Sequence, residues 1–173
     1  MYKLIVSETR YDAIMYASHL LDGRSVVITI SDGMEEDNIY SLCREALRVQ
    51  KKFEVEKAYK KFGVRQLYCF NQDMHSIDYQ FILLKLQLMC TVTPFTHLCY
   101  NDSNRTLNDI YDNILGARNK IIYLKESDYK ALTYELNEKE IERKLDAIER
   151  MATIRSKLLY NNNFNKEYLR RIV

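Results

Sequence analysis

A chain of 173 residues is long enough to bury a core without disulfide staples, and 47% hydrophobic with 29% charged content is the balance of a soluble globular protein. Its 26 basic and 24 acidic residues are interspersed and leave a net charge of +2, which argues against a nucleic-acid or membrane-surface partner. The cysteines, Cys43, Cys69, Cys90 and Cys99, form no CxxC pair, which removes a zinc ribbon and a thioredoxin-like motif from consideration.

In chain order, Leu4 to Val6 reads as a first buried strand, followed by a polar loop from Ser7 to Asp12. Ala13 to Leu21 has helical spacing, with Gly23 placed for a left-handed cap. Val26 to Ile30 is apolar or β-branched throughout, the pattern of a strand covered on both faces. A long helix is predicted from about Asp37 to Phe62, with Ile39, Leu42, Ala46, Val49 and Phe53 turned inward. Glu35 to Asp37 before it and Lys57, Lys60 and Lys61 at its close suit the helix dipole, and Gly63 suits its cap.

Leu67 to Phe70 is the third strand, Ile77 to Cys90 a strongly apolar helix, and Phe95 to Tyr100 the fourth strand. A helix from Arg105 to Leu115 closed by Gly116, a fifth strand from Lys120 to Leu124 and an edge strand within Tyr129 to Leu136 follow. The last helix is expected over Glu138 to Leu159, with Ile141, Leu145, Ile148, Ala152 and Leu158 inward. This alternation predicts one α/β domain over residues 1–173. Its core is a Rossmann-like, doubly wound and mostly parallel sheet of five to six strands with helices on both faces. Sandwiching between sheet and helix accounts for the apolar Ile77 to Cys90 segment; an exposed apolar face there would instead serve a homo-oligomer.

Ligands of such a sheet bind beyond the carboxyl ends of its strands. Four polar loops are expected there: Ser7 to Asp12, Ser31 to Gly33, Asn71 to Asp78, and Asn101 to Arg105. None carries GxGxxG or GxxxxGK[ST], so the two commonest nucleotide sites are absent. Of the three histidines, His19 reads as a partly buried packing residue and His97 as structural within the fourth strand. His75 is either an acid/base or ligand at the pocket or a solvated loop residue. Cysteines in apolar surroundings, the short apolar run in Met1 to Ser7 and the lack of any membrane-length segment point to the cytoplasm. Abundant Asn, Lys, Ile and Tyr fit an A/T-rich coding sequence, as in a phage or low-GC bacterium.

The order Thr29-Ile-Ser-Asp-Gly33, Arg44-Glu45, Phe62-Gly-Val64 and Asp73, with Thr96-His97 ahead of the fourth loop, resembles the LmbE/PIG-L family of N-acetylglucosamine de-N-acetylases. Lys144-Leu-Asp-Ala-Ile148 resembles that family's lysine-led closing helix. The resemblance runs from Leu4 to about Leu158 and implies metal-dependent hydrolysis of an acetamide on a sugar conjugate. The family's metal run after strand one is Ala-His-Pro-Asp-Asp-Glu, and after strand four His-Pro-Asp-His. Here Glu8 stands for the first ligand, Tyr11 for the second, Asn101 or Asn104 for the third, and Arg10 for the general base.

Arginine accepts no proton at neutral pH, and amide oxygens are poor zinc ligands. Glu8 and Asp12 are the residues left to hold a zinc or other divalent cation if one is retained, and no other cofactor is implied. Asp12 and His75 are the catalytic candidates. Arg44, Asp73, Asp32, Arg10 and Asn104 are the substrate-binding candidates, since arginine forks and carboxylates hold sugar hydroxyls. Arg44 and Asp73 are equally readable as a solvated helix residue and a turn former. Two functions follow. One is a divergent family member that binds a sugar or sugar conjugate with its hydrolysis lost or altered. The other is a metal-free module for a glycan, nucleotide sugar or protein.

Overall fold

The computed structural model of the chain describes residues 2–31, 41–151, 155 and 164–172, without the side chains of residues 41–45. Within them, β1 (Tyr2–Ser7), β2 (Ser25–Thr29), β3 (Gln66–Cys69), β4 (Phe95–Tyr100) and β5 (Asn119–Leu124) run parallel. β7 (Lys166–Ile172) adds antiparallel to β5, and β6 (Leu132–Glu135) closes the edge. The seven-stranded order is β3-β2-β1-β4-β5-β7-β6, a doubly wound sheet whose strand order reverses at β1.

The helices are α1 (Asp12–Tyr16), α2 (Ser41–Lys60), α3 (Tyr79–Val92), α4 (Arg105–Asn113) and α5 (Glu138–Glu149). Because strand side chains alternate between faces, each strand feeds two cores. Ile5, Val27, Cys99 and Tyr123 pack with Ala13 and Ile14 of α1, Val55 and Tyr59 of α2, and Ala147 and Ile148 of α5. Leu4, Val6, Ile28, Leu98 and Ile122 pack on the other face with Ile82 and Leu86 of α3 and Leu107 and Ile110 of α4. Each large aliphatic side chain sealed this way stabilises the fold by about 1.5–3 kcal/mol. Covering both faces is why the strands read as continuous apolar runs.

Several expectations are corrected. The first helix ends at Tyr16 instead of Leu21, and Ser18–Leu20 forms a 3-10 turn. The cause is Glu167, whose carboxylate takes the Ser18 N–H at 3.0 Å and the His19 N–H at 3.1 Å, drawing both out of the helical ladder. Gly23 is not left-handed, whereas Gly63 after α2 is, at φ 70°, as a helix cap requires. On α2 the inward face is Lys51, Val55, Ala58, Tyr59 and Phe62; Ala46, Val49 and Phe53 face solvent.

The expected inward residue Ile39 lies outside the described residues, as does the Leu42 side chain. α5 buries Lys144, Ala147 and Ile148, with Ile141 and Leu145 half-buried, while Ala152 and Leu158 lie outside the described residues. β7 has no counterpart among the strands expected from sequence. On α3, Ile82, Leu86 and Cys90 are buried, but Leu84, Leu88 and Val92 form an exposed stripe one turn apart each. Cys90 and Cys99 are buried free thiols and Cys69 is half-buried.

Candidate functional site

Five parallel strands send their carboxyl ends to one edge of the sheet, and hydrogen bonds tie the loops there side by side. Ile30 N–H donates to the Ser7 carbonyl at 2.9 Å and Ser31 N–H to the Glu8 carbonyl at 2.9 Å. Gln72 N–H donates to the Ile30 carbonyl at 2.8 Å, so the loop after β3 lies against the loop after β2. The loop after β4 reaches the loop after β1 through the Ser103 hydroxyl, which donates to Glu8 Oε2 at 2.7 Å. The described parts of the loops expected to bind a ligand therefore meet around the end of β1.

The first loop is held from beneath by buried tyrosines. Tyr59 of α2 donates its hydroxyl to the Arg10 carbonyl at 3.0 Å, and Tyr123 of β5 donates to the Val6 carbonyl at 2.7 Å. Ser7 Oγ accepts the Ala13 N–H at 3.1 Å, and Asp12 Oδ2 accepts the Thr9 N–H at 3.0 Å, closing the loop onto the start of α1. Glu8, Arg10 and Asp12 are all buried, at 5%, 5% and 1% exposure. Lys125, the residue directly after β5, brings its ammonium to 3.7 Å from Asp12 Oδ1.

The electrostatics follow from burial. Burial pushes the Glu8 carboxyl above its ordinary range, the Ser103 hydrogen bond opposes this, and the Asp12 charge adds to the rise. Burial works against the Lys125 ammonium, yet Asp12 and then Glu8 outweigh it, and its pKa is raised. Tyr111 of α4 lies under the same loop, and burial followed by the Glu8 charge pushes its hydroxyl well above the usual range. Glu8 Oε1, Thr9 Oγ1 and the Tyr111 hydroxyl are buried without a hydrogen-bond partner among the described residues. Such groups are uncommon in folded proteins and each marks a place where a polar partner is wanted.

Of the residues singled out from sequence, Glu8, Arg10 and Asp12 come together on the first loop. Asn104 is beside them, but its side chain is committed: Oδ1 accepts the Leu107 N–H at 3.1 Å as the cap of α4. Asn101 is likewise engaged, donating to the Tyr123 carbonyl at 3.1 Å and accepting the Ser103 N–H at 2.8 Å. Asp73 and His75 are exposed in the loop after β3, where Asp73 Oδ1 takes the His75 N–H at 2.8 Å in a turn. Asp32 and the Arg44 side chain lie outside the described residues.

His97 sits half-buried at the opposite end of β4, beside the Thr96 hydroxyl at 2.9 Å; burial, Lys3 and Arg171 lower its pKa. Sequence reasoning missed Lys125, Ser103 and the buried tyrosines. For Lys125 a signal existed, since it immediately follows the fifth parallel strand and so must lie at the ligand edge.

No protein-family model matches the chain, and no curated protein sequence matches it. Solved structures do. The zinc-inhibited form of a teicoplanin deacetylase is similar with a TM-score of 0.75 and 9% identity, over 100% of this chain and 98% of its own. N,N'-diacetylchitobiose deacetylase from Pyrococcus horikoshii, complexed with its inhibitor, gives 0.71 and 12%, over 99% of this chain and 83% of its own. GalB, the 4-carboxy-2-hydroxymuconate hydratase from Pseudomonas putida, gives 0.66 and 12%, over 100% and 97%. The chain thus has the α/β fold of the LmbE/PIG-L-type deacetylases. That a hydratase shares it means the scaffold alone does not fix the reaction.

The described residues of this site do not fit the zinc that the resemblance implies. Among the described residues, no group of three His, Cys, Asp or Glu is arranged to hold a metal ion. Zinc sites take three or four nitrogen, sulfur or carboxylate donors. Glu8 and Asp12 are the two carboxylates of the first loop, one bonded by Ser103 and the other by Thr9 and facing an ammonium. Arg10, which the resemblance sets against the family's general base, is a permanent cation.

Proposed function

We propose that this protein is a metal-free relative of the sugar deacetylases, binding a sugar or sugar conjugate in the cleft at the end of β1, with amide hydrolysis lost or altered. The observation that carries this reading is Glu8: a carboxylate 5% exposed, with one oxygen bonded to Ser103 and the other without a partner among the described residues. A hydroxyl-rich ligand supplies donors to such an acceptor, and Thr9 and Tyr111 offer two more hydroxyls in need of partners. The ammonium of Lys125 and the guanidinium of Arg10 add donors for sugar oxygens or an attached acidic group. Arg44, Asp73 and Asp32 extend this proposed ligand surface, as the resemblance implies, with Asn104 contributing through the loop it caps. Asp12 and His75 are the proposed acid/base groups only where hydrolysis survives.

We take the protein to be cytoplasmic, in keeping with the free thiols of Cys69, Cys90 and Cys99, and the coding bias keeps a phage origin in view. No helix among the described residues is long and apolar enough to cross a membrane. The test is a thermal-shift panel of N-acetylglucosamine oligosaccharides and nucleotide sugars, run with a free-amine assay. A shift that disappears in Glu8→Gln, without amine release, is the expected result. A flat panel with Glu8 intact ends the small-ligand reading, and stoichiometric amine release ends the claim of lost hydrolysis.

A further inference from the structure

We propose that Lys125 is a resident cation of this site: its ammonium, set against the Asp12 carboxylate after β1, takes the charge-balancing place that a divalent metal would have there, and so keeps metal ions out. The inference rests on the reading of this cleft as the ligand site and goes beyond it, because it assigns a residue to the exclusion of metal.

Glu8 and Asp12 are both nine-tenths buried or more, and they sit four positions apart at the mouth of one loop. The Asp12 charge raises the Glu8 pKa, so these two buried carboxylates repel, and nearby cations relieve them. Arg10 of the same loop is one, and Lys125 reaches Asp12 from the far side of β4 as the other. Its Nζ lies 3.7 Å from Asp12 Oδ1 and 5.8 Å from the centre of the Tyr16 ring, so a carboxylate and an aromatic face hold it over the loop. An ammonium is a compact point charge with three donors and no acceptor, so it satisfies carboxylates without polarising a water for attack.

The position is also open enough to be exchanged. The Lys125 side chain is 41% exposed, while the Asp12 side chain it faces is 2% exposed. Removing the lysine therefore opens the buried Asp12 carboxylate, with Glu8 on the same loop, to ions from solvent, Arg10 remaining in place. Glu8 Oε1, which has no hydrogen-bond partner among the described residues, is the free donor atom such an ion would use. Hard cations such as Mn²⁺ and Ca²⁺ accept carboxylate oxygens supplemented by water, so these are the ions the emptied position suits.

The experiment measures melting temperature with 0 and about 10 mM MnCl₂ or CaCl₂ for the wild-type protein, Lys125→Ala, and the double variant Lys125→Ala/Asp12→Asn. A cation that binds only the folded state raises the melting temperature, by about 3 °C for millimolar affinity in a chain of this size. The expected pattern is no shift in the wild type, a rise in Lys125→Ala, and no shift in the double variant. Equilibrium dialysis of Mn²⁺ against the same three proteins reports binding directly and is read where a variant melts without cooperativity. Lys125→Gln replaces Lys125→Ala should the shorter side chain fail to fold.

Equal shifts in wild type and Lys125→Ala would overturn the proposal, since the cleft would then take metal despite the ammonium. No shift and no Mn²⁺ uptake in Lys125→Ala would overturn it equally, since nothing would then be excluded. Neither result involves a sugar. A flat sugar panel beside the expected metal pattern refutes the ligand reading alone, and the reverse refutes the lysine reading alone.

Discussion

The strongest quantitative prediction concerns Glu167 of β7, which sits 1% exposed where β7, α5 and the 3-10 turn meet. Its Oε1 accepts the Lys144 ammonium at 2.8 Å and the Ser18 N–H at 3.0 Å, and its Oε2 accepts the His19 N–H at 3.1 Å. The Ser18 hydroxyl and the His19 ring complete the set, and that ring stacks on Tyr134 of β6 at 4.1 Å between centroids. Burial raises the carboxyl pKa, but the His19 hydrogen bond, the Lys144 charge and their companions pull it down to about 2 from 4.5.

A depressed carboxylate contributes stability that is fully present above its unfolded pKa and is lost as pH falls through the folded value. The window is therefore pH 4.5 down to about 2, and at about 1.36 kcal/mol for each pH unit across it the loss is about 3 kcal/mol. Glu167→Gln removes the charge and leaves the Lys144 ammonium facing an amide, which costs about 3–5 kcal/mol at neutral pH. Urea unfolding of both proteins at pH 7, 4.5 and 2.5 measures these quantities. We expect a large deficit at pH 7 that narrows towards pH 2.5. A deficit below about 1 kcal/mol at pH 7, or an unchanged acid dependence in the variant, would refute the reasoning.

Two further outcomes follow from the same logic. Glu8 has a raised pKa, so its contribution is intact below the ordinary carboxylate range and is lost as pH rises through its folded value; Glu8→Gln should raise the melting temperature at pH 7 and leave it unchanged at pH 4. Thermal melts at the two pH values check this, and a lower melting temperature at pH 7 would contradict it. Leu88 on the outer face of α3 is 59% exposed, so Leu88→Lys should shift stability by no more than about 0.5 kcal/mol, as read by urea midpoint.

Much of the architecture is readable because the central strands β1, β2, β4 and β5 carry apolar residues on both faces. β4 is found at Phe95–Tyr100 as expected, and β5 differs by one residue. Helix faces are less readable. On α2 the stripe Ala46, Val49 and Phe53 and the stripe Val55, Ala58, Tyr59 and Phe62 both have helical spacing, and the sheet selects the second. Lys51 joins that face with its long apolar stem, which a scan for hydrophobic residues passes over. β7 is hidden by charge: four of the seven residues in Lys-Glu-Tyr-Leu-Arg-Arg-Ile are charged. Its single acid, Glu167, is nevertheless the anchor that Ser18, His19 and Lys144 share, so the strand and the unwinding of the first helix have one cause.

The candidate site shows the same division between local and long-range information. The exchange that the resemblance implies, Glu8 for a histidine, Tyr11 for an aspartate and Arg10 for the general base, is local and readable. What balances the remaining charge is not, because Lys125 is distant in sequence and is brought in by the strand order β1-β4-β5. Parallel topology makes this a rule of use: the residue directly after any such strand stands on the ligand edge. On the first loop Arg10 stands between the buried carboxylates Glu8 and Asp12, and Lys125 brings a second cation to Asp12 from the fifth strand. Under the proposed reading, the lysine turns a loss of metal ligands into an exchange of one cation for another, and Glu8 Oε1, without a partner among the described residues, is the acceptor for a ligand.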